Sequence, residues 1–419
     1  MKNRKIERLR SLLNQNELGG IVLSNSDNVF YTSGYNNVMD GWQLPEPMSA
    51  VFVPADSTKP IVLCIPEASL IGIIVSEREG HPIHYDKIST FDLLNFCQTA
   101  RAHDAYMQLS EDISSRLKEI STDIIGECQN NLVLSLEQVI DTYSSQKPIL
   151  FDDMRIAYRL SQKIDFNFED GFELVIEARS VKTPEEIDLF RESGKKADRV
   201  MAHTVKQLGV GAKWCNIEKS VAHFMIDEGI DPLPTSPMLF GGSYDLAFRP
   251  DLFRTHFDSP FQEGQIAILE TQGRYKNIWL DINRTAYIGP PPKEYIEQHE
   301  IVKKCFLDVV NKLKPGNNSS EICAQAKEEI SCSLDSPEKL LMIVHSIGHV
   351  PLESPKIFPS TGLDSALEGF EIKENMILSF DCLYFGSKLG PSHMENVFVI
   401  SKNNSSSIYQ YPLDLIEVQ

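Results

Sequence analysis

Ile6, Leu9, Leu12 and Leu13 recur at helical spacing, so the first sixteen residues read as an amphipathic helix. Gly20-Ile21-Val22-Leu23 is then a short apolar run closed by the polar cluster Ser24–Asn28, the pattern of a buried strand. Ala50–Val53 and Ile61–Cys64 repeat it between turns that contain Pro and Asp. Strands alternating with helices over the first ~150 residues predict an α/β domain. From Lys147 to Gly171 the chain is polar and less periodic, and the predicted boundary falls there, giving residues 1–165 and 166–419.

Helix signals strengthen beyond it. Thr183-Pro184-Glu185-Glu186 combines a capping hydroxyl, a proline at the first helical position and an acid three residues after the cap. The helix it opens should run to Leu208 and stop at Gly209/Gly211; a second should start at Ile217, capped by Asn216, and stop at Gly229. A third, from Tyr295 to Leu313, ends at Pro315-Gly316, and a fourth begins near Ile322. Leu208/Leu313, Gly211/Gly316 and Ile217/Ile322 each keep an offset of 105 residues. Short β-like runs follow each helix pair, so the pattern predicts two αα-then-β halves related by a pseudo-twofold, with a cleft between their sheets.

Composition narrows the functions open to such a chain. Of its 419 residues 42% are hydrophobic and 24% charged, an ordinary globular balance. Fifty-nine acids against forty bases leave a net charge of −19, which repels phosphate backbones and anionic lipid. Nucleic-acid and membrane partners are therefore not expected. Eight scattered cysteines without a C-x-x-C pair fit reduced thiols in a cytoplasmic protein. The basic N-terminus (Lys2, Arg4, Lys5) leads into charged residues rather than an apolar core, unlike a signal peptide.

Candidate chemistry lies in acids placed on apolar runs. Ile266–Glu270 reads as a strand ending in a carboxylate, and a turn around Gly273 would set Asp281 across from Glu270 on one hairpin. Facing carboxylates repel unless a cation or proton lies between them; the other reading is a solvated hairpin beside Arg284. His345 and His349 form an H-x3-H pair that Gly348 places on a strand or loop, where a structural pair is the other reading. Asp381 ends the apolar run Met376–Phe380, and Glu395 heads the run Asn396–Ile400. Acids so placed are costly to bury unless they are paired or bind metal.

This order of residues resembles the pita-bread family of metallopeptidases and relatives, which includes methionine aminopeptidase, aminopeptidase P, prolidase, creatinase and ectoine hydrolase. The resemblance spans nearly the whole chain. Asp27–Tyr35 is similar to the N-terminal domain of the creatinase/prolidase branch, and Ala178–Glu186 to the start of its catalytic domain. It implies an α/β N-terminal creatinase/prolidase-type domain and an α+β pita-bread C-terminal domain with an internal pseudo-twofold repeat. It also implies five ligands, Glu270, Asp281, His349, Asp381 and Glu395, around one or two divalent ions (Mn, Fe, Co or Zn). Asp281 and Glu395 keep the family's bridging types. Glu270 and Asp381 exchange Asp for Glu and Glu for Asp, a shift of ~1.5 Å against a tolerance of about 0.2 Å in metal–oxygen distance.

Of the supporting residues, His345 is retained, and the resemblance implies that it stabilises an oxyanion while Asp381 serves as ligand and base. The upstream catalytic histidine falls on Phe253, with His256 as the nearest substitute. Lys356 stands where proline-specific members have a second histidine, and His393 where they have an arginine. The implied function is metal-dependent hydrolysis of a C–N bond in a short peptide or small amide, not standard Xaa-Pro cleavage. The alternatives are metal-free creatinase-like hydrolysis or a lyase on the same fold, and a non-catalytic binding protein. The branch also implies a homodimer, with aromatic segments at Val29–Tyr31 and Trp42–Pro45 exposed for it.

Overall fold

Ile6, Leu9 and Leu13 bury one face of the helix Arg4–Gln15, whose first amides are capped by the Asn3 side chain. This computed structural model describes residues 3–37, 39, 46–93, 111–232, 238–242, 260–353 and 369–418, with backbone alone at 238–242. The chain divides into two units, Met1–Arg179 and Ser180–Gln419.

In the first unit, strands β1 (Gly20–Leu23), β2 (Ala50–Pro54), β3 (Val62–Pro66), β4 (Lys87–Phe91), β5 (Ile149–Phe151) and β6 (Phe168–Asp170) form a mixed sheet in the order β4-β3-β2-β1-β5-β6. Parallel pairing at β1/β5, β5/β6 and β3/β4 requires the crossovers that the alternating pattern predicts. The polar stretch around 147–171 holds β5, the helix Met154–Ser161 and β6. It reads as polar because β6 is an edge strand with exposed Glu169 and Asp170. One expectation is corrected here. Val29, Tyr31 and Tyr35 are buried in this unit's core, and the Tyr31 hydroxyl donates to the Ala178 carbonyl at 3.0 Å. Trp42–Pro45 lie outside the described residues.

In the second unit the capping box forms as the sequence predicts. The Glu186 amide donates to Thr183 Oγ1 (3.3 Å) and the Thr183 amide to Glu186 Oε2 (2.8 Å), opening the helix Pro184–Gln207. The next helix, Trp214–Asp227, starts ahead of the predicted Asn216 cap because Trp214 is buried edge-on against Phe261, 5.2 Å between rings. The second pair is Lys293–Lys312 and Ser319–Ile330. Leu208 and Leu313 each close the first helix of a pair, and Gly211 (φ 84°) and Gly316 (φ 90°) both take the left-handed turn that follows.

The strands of this unit are β7 (Asp231–Pro232), β8 (Met238–Gly242), β9 (Ile266–Tyr275), β10 (Ile278–Ile288), β11 (Leu340–Ser346), β12 (Ile377–Tyr384), β13 (Ser392–Ile400), β14 (Ser405–Ser407) and β15 (Ile416–Val418). The two halves share one sheet, rather than facing each other with separate ones. Its order among the described residues is β11-β12-β13-β10-β9-β7, with β14 on β13, β15 on β10 and β8 on β9. Arg284, fully buried, clamps the seam. It donates to the carbonyls of Glu395 (2.9 Å), Asn283 (2.6 Å), Tyr411 (2.6 Å) and Pro412 (2.6 Å) and to Asn396 Oδ1 (2.9 Å). Burial lowers its pKa to about 10.

The β9/β10 turn is not at Gly273. It is the two-residue turn Lys276-Asn277, with φ of 49° and 61°, the both-positive geometry of a tight hairpin. Gly273 lies within β9, where a Cβ would come within 2.5 Å of Met225 Cε and 2.7 Å of Ile230 Cγ2. The register therefore sets Glu270 opposite Asn283 and Asp281 opposite Gln272, so the two acids are diagonal rather than face to face.

Candidate metal centre

Sheet register assembles the site. Glu270 on β9 faces Asn283 on β10, Asn283 faces Glu395 on β13, and Glu395 faces Asp381 on β12. Residues directly opposite one another share a face, so this row crosses four strands on one side of the sheet. Asp281 lies two residues from Asn283 on the same side. The intervening Leu280 and Ile282 of β10, and Phe380 and Cys382 of β12, are buried in hydrophobic clusters.

His345 on β11 pairs with Ser379, two residues before Asp381. Its Nε2 lies 3.1 Å from Asp381 Oδ2 and 3.9 Å from Glu395 Oε1. His345, Asp381 and Glu395 offer ligand atoms all within 4.8 Å of one another. His393, two residues before Glu395, meets the other side of Asp381, with Nε2 3.1 Å from Oδ1. Ser379 Oγ donates to Glu395 Oε1 at 2.5 Å. Gln272 Nε2 spans Glu270 Oε1 (2.8 Å) and Asp281 Oδ2 (3.0 Å), and Asn283 Nδ2 reaches Glu270 Oε2 at 3.4 Å. Asp281 and Glu395 are buried; Glu270 and Asp381 are half-buried.

His349 lies past the end of β11 and is not in the set with His345. Its Nδ1 is 2.9 Å from the Asn277 carbonyl, which only accepts, so Nδ1 carries a proton. In a neutral ring that leaves the lone pair on Nε2, the tautomer a metal ligand needs. His256, Phe253 and Lys356 lie outside the described residues.

Burial pushes the Glu270 carboxyl up to about 8, and the Asp381 charge adds to it. Burial, then the neighbouring carboxylates, push Asp281 and Glu395 well above the ordinary range. Asp381 moves the other way: burial alone would raise it, but hydrogen bonds from His345 and His393 outweigh that and hold it low. Asp281 Oδ1 is buried and receives no hydrogen bond from any described donor. Among the described residues, the ligand atoms close enough together for a divalent cation are those of His345, Asp381 and Glu395, with Glu270 and Asp281 in the same row but outside that set.

The sequence pointed to the acids and to both histidines of the H-x3-H pair, but not to the residues that touch them. Gln272, Asn283 and Ser379 had no assigned role, and His393 was noted only as a replacement. Each is two residues from an acid: Gln272 from Glu270, Asn283 from Asp281, Ser379 from Asp381, His393 from Glu395. Strand alternation is the signal that would have picked them out.

The family model of metallopeptidase family M24 matches residues 188–402, just over half the chain. The chain belongs to metallopeptidase family M24. Membership places it in a family of metallopeptidases, as the resemblance in the sequence implied. An ectoine hydrolase of Halomonas elongata is 27% identical over 163 residues, 37% of this chain and only 40% of that protein. A Xaa-Pro dipeptidase of Pyrococcus furiosus is 21% identical over 244 residues, covering 58% of this chain and 67% of the other. Among solved structures, a dipeptidase of Pyrococcus horikoshii OT3 superposes with TM-score 0.72 at 18% identity, over 99% of this chain and 100% of that one. The M24 chain thus has the pita-bread fold implied by the sequence. No described helix is long and apolar enough to cross a membrane.

The raised carboxyls give stability a direction with pH. Without metal, folded Glu270 holds a proton that the unfolded chain releases between its ordinary 4.5 and about 8. This stabilisation is complete below the lower value and lost as pH rises through the upper one. Asp281 and Glu395 act in the same sense. Asp381, lowered, acts oppositely, but only in acid near and below 3.8. The chelated protein should melt at lower temperature as pH rises from ~5 to ~8, and added Mn²⁺ or Zn²⁺ should raise the midpoint most at the alkaline end. Calorimetry showing a flat or rising midpoint across that window would contradict the crowded-carboxylate description.

Proposed function

We propose that this M24 protein hydrolyses a C–N bond in a short peptide or small amide, and that it is not a standard Xaa-Pro peptidase. The observation that carries the reading is the in-register gathering of Glu270, Asp281, Asp381 and Glu395, three of them with carboxyls pushed up by burial and then by neighbouring carboxylates. In this reading Asp281 and Glu395, the buried pair, together with Glu270, Asp381 and His349, would hold one or two divalent ions. Mn, Fe, Co and Zn all suit such donors. Bound there, a divalent ion supplies the Lewis acidity that lets water attack a carbonyl near neutral pH.

The residues do the rest. Asp381, kept ionised between His345 and His393, is placed to take the proton of the attacking water. His345, whose Nε2 meets Asp381 in this structure, is the donor this reading assigns to the negative charge on the carbonyl oxygen once that contact is exchanged for substrate. His256 is the further catalytic candidate. Relatives named for hydrolysis of ectoine and of Xaa-Pro dipeptides support a C–N hydrolase. His393, where proline-specific members have arginine, is engaged with Asp381, which supports a different substrate. The scattered cysteines, without a C-x-x-C pair, support a reducing, cytoplasmic setting.

Asp281→Asn and Glu395→Gln should each abolish stoichiometric metal, since each removes a buried charge that would hold the ions. Elemental analysis finding full metal in both variants would reject the site. Ala-Pro and Gly-Pro should be poor substrates; turnover with kcat/KM of roughly 10⁴ M⁻¹s⁻¹ or more would reject that part of the reading. A screen of dipeptides, guanidino compounds and acylated diamino acids separates peptide from small-amide cleavage. A C2 homodimer belongs to the same proposal, supported by the prevalence of that symmetry alone now that Val29, Tyr31 and Tyr35 are buried. Light scattering should give twice the 47.3 kDa chain mass, and a monomer at micromolar concentration would reject it.

A further inference from the structure

Within the second unit, Lys182 and Glu353 form an ion pair of 2.7 Å whose side chains are 3% and 0% exposed. Two charges so deeply buried are costly unless their geometry and hydrogen bonds are complete. Here the carboxylate has a second task. Glu353 Oε2 accepts from Lys182, while Oε1 accepts the backbone amide of His349 at 3.1 Å, and the Glu353 amide closes the loop onto the Ser346 carbonyl at 2.9 Å. Gly348 makes room for it: a Cβ there would lie 2.3 Å from Glu353 Oε1 and 2.5 Å from Oε2. The Gly348 carbonyl accepts the Trp279 amide at 2.8 Å, tying the same loop to β10. At the other end, the Lys182 amide donates to the Asn375 carbonyl at 2.8 Å, just before β12 and next to the capping box. His349 is thus held by its amide from one side and by its Nδ1 from the other.

We propose that the buried Lys182–Glu353 pair is a positioning device for His349, fixing its backbone so that Nε2 is presented to the metal, and that it sets the metal affinity of the centre. The proposal rests on the reading of His349 as a ligand. Neither Lys182 nor Glu353 need touch the metal or the substrate. Outer residues that orient a ligating histidine typically change metal affinity by about 10- to 100-fold when removed.

The test uses the full chain and Co²⁺ alone, read by equilibrium dialysis and by the visible absorption of the bound ion, which follows ligand geometry. Lys182→Met and Glu353→Gln should weaken Co²⁺ binding by about 10- to 100-fold and change its absorption, while Lys182→Arg should restore both. Because an unpartnered buried charge can prevent folding, two further variants accompany them. Gly348→Ala keeps both charges but displaces the carboxylate, and Lys182→Met with Glu353→Met removes both charges together. Both should show the same loss. Folded variants, by circular dichroism, that bind Co²⁺ within about twofold of the parent with an unchanged spectrum would overturn the proposal. Asp281→Asn separates the two levels. If it still binds Co²⁺, the metal reading itself fails; if it loses Co²⁺ while the Lys182 and Glu353 variants keep it, only the brace fails.

Discussion

Four carboxylates gathered on one face of a buried sheet repel one another, and much of the second unit can be understood as the arrangement that tolerates this. Leaving an isolated carboxylate ionised away from water costs several kcal/mol. Among the described residues, no lysine or arginine forms an ion pair with the group. The protein supplies neutral donors instead: Gln272 between Glu270 and Asp281, Asn283 at Glu270, Ser379 at Glu395. Among the described residues, Asp381 is given an imidazole on each side. The result is a cluster oriented by neutral donors that, without metal, holds protons a cation would displace. Arg284, the cation buried nearest this seam, points all its donors at carbonyls and one amide oxygen, so it holds the strands together without cancelling the negative field by ion pairing.

The pseudo-twofold repeat explains why the cluster is shared equally. The hairpin of β9 and β10 contributes Glu270 and Asp281, and the paired strands β12 and β13 contribute Asp381 and Glu395. Neither half holds the four acids, and the Asn283/Glu395 pairing at the seam brings the two sets into one row. A small error in how the halves meet would misplace two acids together, which gives the Arg284 clamp at that junction its importance.

Much of this was legible in the sequence. The helix pairs, their 105-residue offset and the capping box at Thr183 were readable because capping and stop signals are local. The acids were readable because a charge on an apolar run is conspicuous. What escaped was register. Gly273 looked like a turn because glycine usually marks one, yet it is needed for close packing against Met225 and Ile230 while Lys276 and Asn277 make the turn. Val29 and Tyr31 looked like interface residues because exposure cannot be read from an isolated aromatic segment, and the first unit's own core takes them. The joining of the two halves into one sheet depends on long-range pairing, which no local pattern reports.

The turn at Lys276-Asn277 has a consequence for how such a sequence can drift. Asn277 serves twice: its left-handed backbone fixes which residues of β9 and β10 face each other, and its carbonyl holds the His349 ring. Side chains alternate along a strand, so one residue gained or lost between Glu270 and Asp281 would turn one of the two acids to the opposite face. Substitution along the hairpin is open to selection at many positions; a change in its length by one is not. The spacing of eleven between these acids is therefore the part of the site least free to vary, and an alignment gap placed inside it should be distrusted before the chemistry is.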